Sequence, residues 1–131
     1  MAQILVDFEN VICCGVTTQC FTGINYLNEN DTLYLFYSSN CPKIRAEYFK
    51  MIKNSGCQFK LCKLVNTGKN ALDFYIVTEI GRLIEQGEKS IAVISNDNGY
   101  KAVIEYVAQN PEIENDVTIV LSCSIESTLG K

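Results

Sequence analysis

The sequence contains no histidine. That absence removes the Ser-His-Asp and Cys-His nucleophile systems, His-based ribonuclease chemistry and every zinc site that needs imidazole. Any catalysis therefore falls to carboxylates, Lys, Ser, Tyr or Cys. Proline is scarce, with two residues against eight glycines, and neither is concentrated in a low-complexity stretch; the composition is not that of a disordered or fibrous chain. No apolar run approaches the roughly 18 residues of a membrane span. The opening Met1-Ala2-Gln3-Ile4-Leu5-Val6-Asp7 lacks the basic start, apolar stretch and cleavage site of a secretory signal. A cytoplasmic location without membrane contact is expected. The seven cysteines include no CxxC pair, which predicts reduced thiols acting as small hydrophobes rather than disulfides or zinc ligands.

What is present is a chain of 131 residues, 47% hydrophobic, the length of one domain over 1–131. Such a chain buries about two thirds of its unfolded surface, enough for one core without staples. Its net charge of −4 is unevenly placed. Between Lys43 and Lys69 stand seven cations (Lys43, Arg45, Lys50, Lys53, Lys60, Lys63 and Lys69) against Glu47 alone, a net +6, while the remainder carries four cations and fourteen acids, a net −10. A basic stretch of this kind is either a solvated helix face and strand edge or a contact for a phosphate backbone.

Residues 3–7 form a short apolar run ending in an acid, the pattern of a buried strand whose end opens on a site. Phe21, Ile24 and Leu27 recur at helical spacing and predict a first helix ending near Leu27. Thr32 to Tyr37 is aromatic and β-prone, a second strand whose Tyr34, Phe36 and Tyr37 read as core. Pro42 fits the first turn of a second helix, with Ile44, Tyr48, Phe49 and Ile52 on one face up to Gly56. Gln58 to Val65 alternates as a third strand with a partly exposed face, placed at an edge. After 66–70, Leu72, Ile76, Ile80, Leu83 and Ile84 mark a long helix ending at Gly87; Ser90–Ile94 is a fourth strand, Val103, Ile104 and Val107 lie on a further helix, and Val117–Leu121 is a fifth strand. Strands alternating with helices, several of them continuous apolar runs, predict an α/β fold of three layers, doubly wound around a mostly parallel five-stranded sheet. Ligands of such sheets bind beyond the carboxyl ends of the strands.

Three acids fall there. Asp7 ends the first strand, Asp97 follows the fourth, and Asp73 lies in the first turn of the helix before it. Singly, each has an ordinary explanation as a turn former or first-turn charge. Together they repel one another unless a cation neutralises them, and at least one carboxyl is expected to be held in its protonated form more firmly than usual. With only oxygen donors on offer, the matching ion is Mg²⁺ or Mn²⁺, and the chemistry is hydrolysis of a phosphodiester.

The segments Leu5-Val6-Asp7-Phe8-Glu9-Asn10-Val11, Lys69-Asn70-Ala71-Leu72-Asp73 and Ile94-Ser95-Asn96-Asp97-Asn98-Gly99-Tyr100 resemble, in order and spacing, the successive acidic motifs of PIN-like nucleases, closest to their NYN branch, over about three quarters of the chain. The resemblance implies a sheet in order 3-2-1-4-5 and Mg²⁺- or Mn²⁺-dependent cleavage of RNA or single-stranded nucleic acid. By it, Asp7, Asp73 and Asp97 hold the metal directly or through water, while Asn10 and Ser95 orient a carboxylate or a bound water. The family often carries another Asp where this chain has Gly99. Glu9 is the available substitute, although its side chain could equally face solvent. Lys69, Lys50 and Lys53 are candidate phosphate contacts, and Tyr100 a candidate for stacking on a base, with packing as its alternative.

Two rivals remain at this stage. A haloacid-dehalogenase-like phosphotransferase wants a second Asp where Glu9 stands. A catalytically silent PIN-like module would bind nucleic acid or a partner protein, or pair as a homodimer, without cutting.

Overall fold

The computed structural model describes residues 1–11, 13–14, 17–39, 41, 44–65, 71–113 and 116–129, with side chains omitted at 13–14 and 17–18. Its centre is β1 (Gln3–Asp7), buried at every residue. The other elements in chain order are a hairpin of β2 (Cys13–Cys14) and β3 (Thr17–Thr18), two 3-10 turns (Gln19–Phe21 and Ile24–Tyr26), β4 (Thr32–Tyr37), α1 (Ala46–Ser55), β5 (Gln58–Lys63), α2 (Ala71–Glu85), β6 (Ser90–Ile94), α3 (Tyr100–Gln109), β7 (Thr118–Ser122) and α4 (Ile125–Thr128). The five long strands pair in parallel as β5-β4-β1-β6-β7. Counting only these strands, the order is 3-2-1-4-5, as expected.

Because successive strand residues face opposite ways, β1 feeds two cores. Ile4, Val6 and Phe8 pack with Leu33, Leu35 and Ile52 on the α1 side. Leu5 packs with Phe36, Ile76, Ile80, Val93 and Tyr100 on the side of α2 and α3. Asp7 shares the parity of Leu5, so its side chain is directed to that second side at the strand's carboxyl end. Helix α2 buries Leu72, Ile76, Ile80 and Leu83 along one stripe, the 3.6-residue period that pins its first turn, and hence Asp73, over the same rim. No helix among the described residues is long and apolar enough to cross a membrane.

The expected first helix is replaced by the two 3-10 turns, although Phe21, Ile24 and Leu27 are all buried as their spacing required. The reason is distant in sequence. Gly23 sits at φ 103°, and a Cβ there would stand 2.6 Å from the backbone nitrogen of Glu126 at the start of α4. The chain bends at Gly23 to admit α4, which an uninterrupted helix would exclude. Helix α1 begins at Ala46, after the expected Pro42 start, a residue outside those described. It ends at Gly56 with φ 80°, a left-handed cap that returns its N–H to Lys53. The five cysteines with described side chains are free thiols.

Candidate active site

The carboxyl end of β1 carries the most constrained acid among the described residues. Asp7 has no exposed surface, and its Oδ2 accepts three hydrogen bonds: from Asn10 Nδ2 at 3.0 Å, Ser95 Oγ at 3.0 Å and the Tyr100 hydroxyl at 3.1 Å. Its Oδ1 is buried and, among the described residues, makes no hydrogen bond of ordinary geometry. Burial raises the Asp7 carboxyl above its ordinary range, against the lowering pull of Asn10, Ser95, Tyr100 and the Glu9 backbone N–H.

The two residues expected to orient a carboxylate both bind Asp7, and the local chain explains why. Asn10 is held by its own N–H to the Asp7 carbonyl, at 3.1 Å, and its carbonyl takes the Asn96 N–H at 2.6 Å, which ties the ends of β1 and β6 together. Ser95, buried just past β6, donates to Asp7 and accepts the Asp97 N–H at 3.0 Å. One hydroxyl thus couples the first acid to the backbone of the last. Asp97 in turn closes a turn onto the Gly99 N–H through its Oδ1, at 2.8 Å.

Asp73 is half-buried, and its Oδ1 lies 3.1 Å from the same Tyr100 hydroxyl that reaches Asp7. A single hydroxyl proton satisfies one carboxylate at a time, so two such contacts favour a protonated partner. The Asp73 carboxyl is indeed raised: burial contributes most, Tyr100 opposes it, and the nearby charges of Asp7 and Asp97 and direct contact with Asp97 add to it. The expectation of a raised carboxyl is met at Asp7 and Asp73, but repulsion is the lesser cause. Tyr100 itself is pushed above the ordinary phenol range by burial and by the two carboxylates.

Base stacking by Tyr100 is therefore corrected. The ring is 3% exposed, packed in the core, with its hydroxyl committed between two acids. A buried Tyr ordinarily brings its hydroxyl to a partner. The exposed Glu9 accepts the Ser38 hydroxyl at 2.7 Å. Gly99 occupies the position where PIN-like nucleases often carry another Asp, and a Cβ there would lie 3.1 Å from Asp97 Oδ1. Lys50 and Lys53 are exposed on α1, on the opposite side of the sheet from α2. Lys69 lies outside the described residues.

Among the described residues, no three His, Cys, Asp or Glu side chains form a group able to hold a metal ion. The acids are instead spaced by the Tyr100 hydroxyl. The donor chemistry still suits a hard divalent cation: all candidate ligands are oxygens, one buried carboxylate oxygen makes no hydrogen bond of ordinary geometry among the described residues, and Mg²⁺ binds through one or two carboxylates while keeping several waters.

A parallel doubly wound sheet with carboxylates drawn from three separate segments to its carboxyl rim defines a class of acid-site α/β domain. The chain belongs to the PIN domain family, whose model matches residues 1–111, the span from β1 through α3. The match is to the PIN domain at large and does not separate its NYN branch. PIN domains are typically nucleases. No curated protein and no solved structure matches the chain.

Proposed function

We propose that this chain is a Mg²⁺- or Mn²⁺-dependent nuclease that hydrolyses phosphodiester bonds in RNA or single-stranded nucleic acid. The observation that carries the reading is the pairing of a fully buried Asp7, one oxygen without a hydrogen bond of ordinary geometry among the described residues, with Asp73 across a single Tyr100 hydroxyl. A carboxylate buried at a cost in stability, with its surroundings fixed by four other residues, marks a functional site more than a structural one. The ion would be held by Asp7, Asp73 and Asp97, directly by one or two of them and through water by the rest, and when bound it would polarise the phosphoryl group and lower the pKa of an attacking water. The chain's own residues set the geometry. Asn10 and Ser95 fix the Asp7 carboxylate, Ser95 and the Gly99 N–H fix Asp97, and Tyr100 fixes the spacing of Asp7 and Asp73. Lys50, Lys53 and Lys69 supply charge for the phosphate backbone, the first two from the exposed face of α1.

Gly99 in place of a fourth acid favours a second reading, a PIN domain that binds nucleic acid or a protein without cutting. Incubation of the purified chain with mixed RNA and single-stranded DNA separates the two. Cleavage that needs Mg²⁺ or Mn²⁺, stops with chelator and is lost in Asp97→Asn while the variant still folds is the expected outcome. Binding without cleavage at any concentration of either ion would establish the silent module instead.

A further inference from the structure

On the α1 side of the same rim lies an open apolar cleft of about 370 Å³, with Leu35, Tyr37, Ser38, Ile44, Phe49 and Leu61 in its wall. Phe8, the residue after Asp7, also lines it. Consecutive side chains at the end of β1 therefore serve two sites, Asp7 the acids and Phe8 the cleft. The size falls in the range of small-ligand pockets. Two of its apolar residues face solvent, Leu61 at 55% and Phe49 at 37% exposure, and Phe49 is fixed against Phe59 with ring centroids 6.0 Å apart. The elements that wall the cleft also carry lysines. Lys63 follows Leu61 on the same face of β5, at the strand's carboxyl end, and Lys50 and Lys53 stand on α1, all three exposed.

An apolar, aromatic-walled recess, built from elements that also carry exposed lysines and one residue away from an acid site, matches one occupant well: a base on an anionic backbone. We propose that this cleft receives an unpaired nucleobase of the substrate strand, with Lys63 on the adjoining phosphate. The identity of the strand rests on the nuclease reading; the chemistry of the cleft does not. The Ser38 hydroxyl, which donates to Glu9, places one polar group and a carboxylate at the wall, where they can meet the N–H edge of a base. A paired base in a duplex presents no free face to such a recess, so the cleft selects single strands or loops.

Binding of a fluorescent single-stranded RNA, followed by anisotropy in chelator so that nothing is cut, tests this. Leu61→Ser and Phe49→Ala, both at exposed positions and checked by thermal melting, are expected to weaken binding about tenfold with the salt dependence unchanged. Lys63→Gln is expected to lower the slope of log affinity against log salt by about 0.7, one single-strand phosphate contact. In the wild type, nucleoside 5′-monophosphates are expected to shift the methyl resonances of Leu35, Ile44 and Leu61. Unchanged RNA affinity in Leu61→Ser and Phe49→Ala, still methyls, or no RNA binding by the wild type overturns the inference, and would leave the cleft to an apolar side chain of a protein. Metal-dependent cleavage by the wild type is scored separately. If it occurs while the cleft variants bind normally, the nuclease reading stands and the base site falls; if bases fill the cleft of a chain that never cuts, the reverse holds.

Discussion

Replacing Tyr100 by Phe removes one oxygen atom from the middle of the acid site and leaves the ring in its core position. That oxygen is 3.1 Å from Asp7 Oδ2 and 3.1 Å from Asp73 Oδ1, in a residue 3% exposed. At neutral pH the Asp7 carboxylate would keep Asn10 and Ser95 as donors and lose the third. A hydrogen bond to a charged group contributes about 1.5–3 kcal/mol. For a chain of this length each kcal/mol corresponds to roughly 3–5 °C in Tm, so Tyr100→Phe is expected to melt about 5–15 °C below the wild type at pH 7. The loss should shrink as pH falls, because a protonated Asp7 asks less of its donors. Catalysis should suffer beyond stability: a residue that fixes the spacing of metal-binding carboxylates typically controls about 10–100-fold in metal affinity or activity. Circular dichroism melts at pH 7 and pH 5, with the metal concentration for half-maximal cleavage, provide both readings. A Tm at pH 7 unchanged within a degree or two, together with an unchanged metal requirement, would refute the role assigned to the hydroxyl.

Asp7→Asn keeps the shape and an acceptor for Asn10, Ser95 and Tyr100 but removes a buried charge whose pKa is raised by burial; it should melt no lower than the wild type at pH 7 and be inactive, which thermal melting and RNA hydrolysis would check. The pH dependence has a matching sign. Because the folded state holds the Asp7 and Asp73 protons more tightly than the unfolded chain, their contribution to stability is greatest at acid pH and is lost as pH rises from the ordinary carboxylate range through the raised folded values; melts without metal from pH 4 to 7 should show this difference between wild type and Asp7→Asn. Reversing Lys50 and Lys53 to Glu should weaken RNA binding and flatten its salt dependence without lowering Tm, since both are exposed. Gly23→Ala should cost about 2–4 kcal/mol in chemical denaturation, because a left-handed φ of 103° and a 2.6 Å approach to the Glu126 backbone penalise a Cβ independently.

The strands were legible because burial on both faces writes itself as unbroken apolar runs: Ser90–Ile94 has the expected limits, and β1 ends on Asp7 as expected. The strand order came from the family resemblance and not from periodicity. The region around Phe21, Ile24 and Leu27 was misread because 3-10 turns can bury the same three side chains, and the decisive contact, Gly23 against Glu126, is separated by about a hundred residues. Asn10 and Ser95 lie against Asp7 as their motif positions implied. The role of Tyr100 was hidden, since a Tyr at a helix start has the same letter whether its ring stacks on a base or its hydroxyl bridges two acids. Tyr37 carries the same ambiguity. Its neighbours Tyr34 and Phe36 are core, whereas Tyr37 is half-buried and lines the cleft, a difference set by where β4 ends rather than by residue type.

The chemistry of the cut itself is read from the ends of the RNA fragments. If the proposed hydrolysis by water takes place at the Asp7, Asp73 and Asp97 rim, the expected termini are 5′-phosphate and 3′-hydroxyl, because a chain without histidine lacks the usual acid-base pair for attack by the RNA 2′-hydroxyl. End-group analysis of fragments made with Mg²⁺ or Mn²⁺, by the wild type and by Asp97→Asn, should find those termini in the first case and no fragments in the second. Cyclic-phosphate termini, or equal cutting by Asp97→Asn in a preparation free of contaminating ribonuclease, would contradict it.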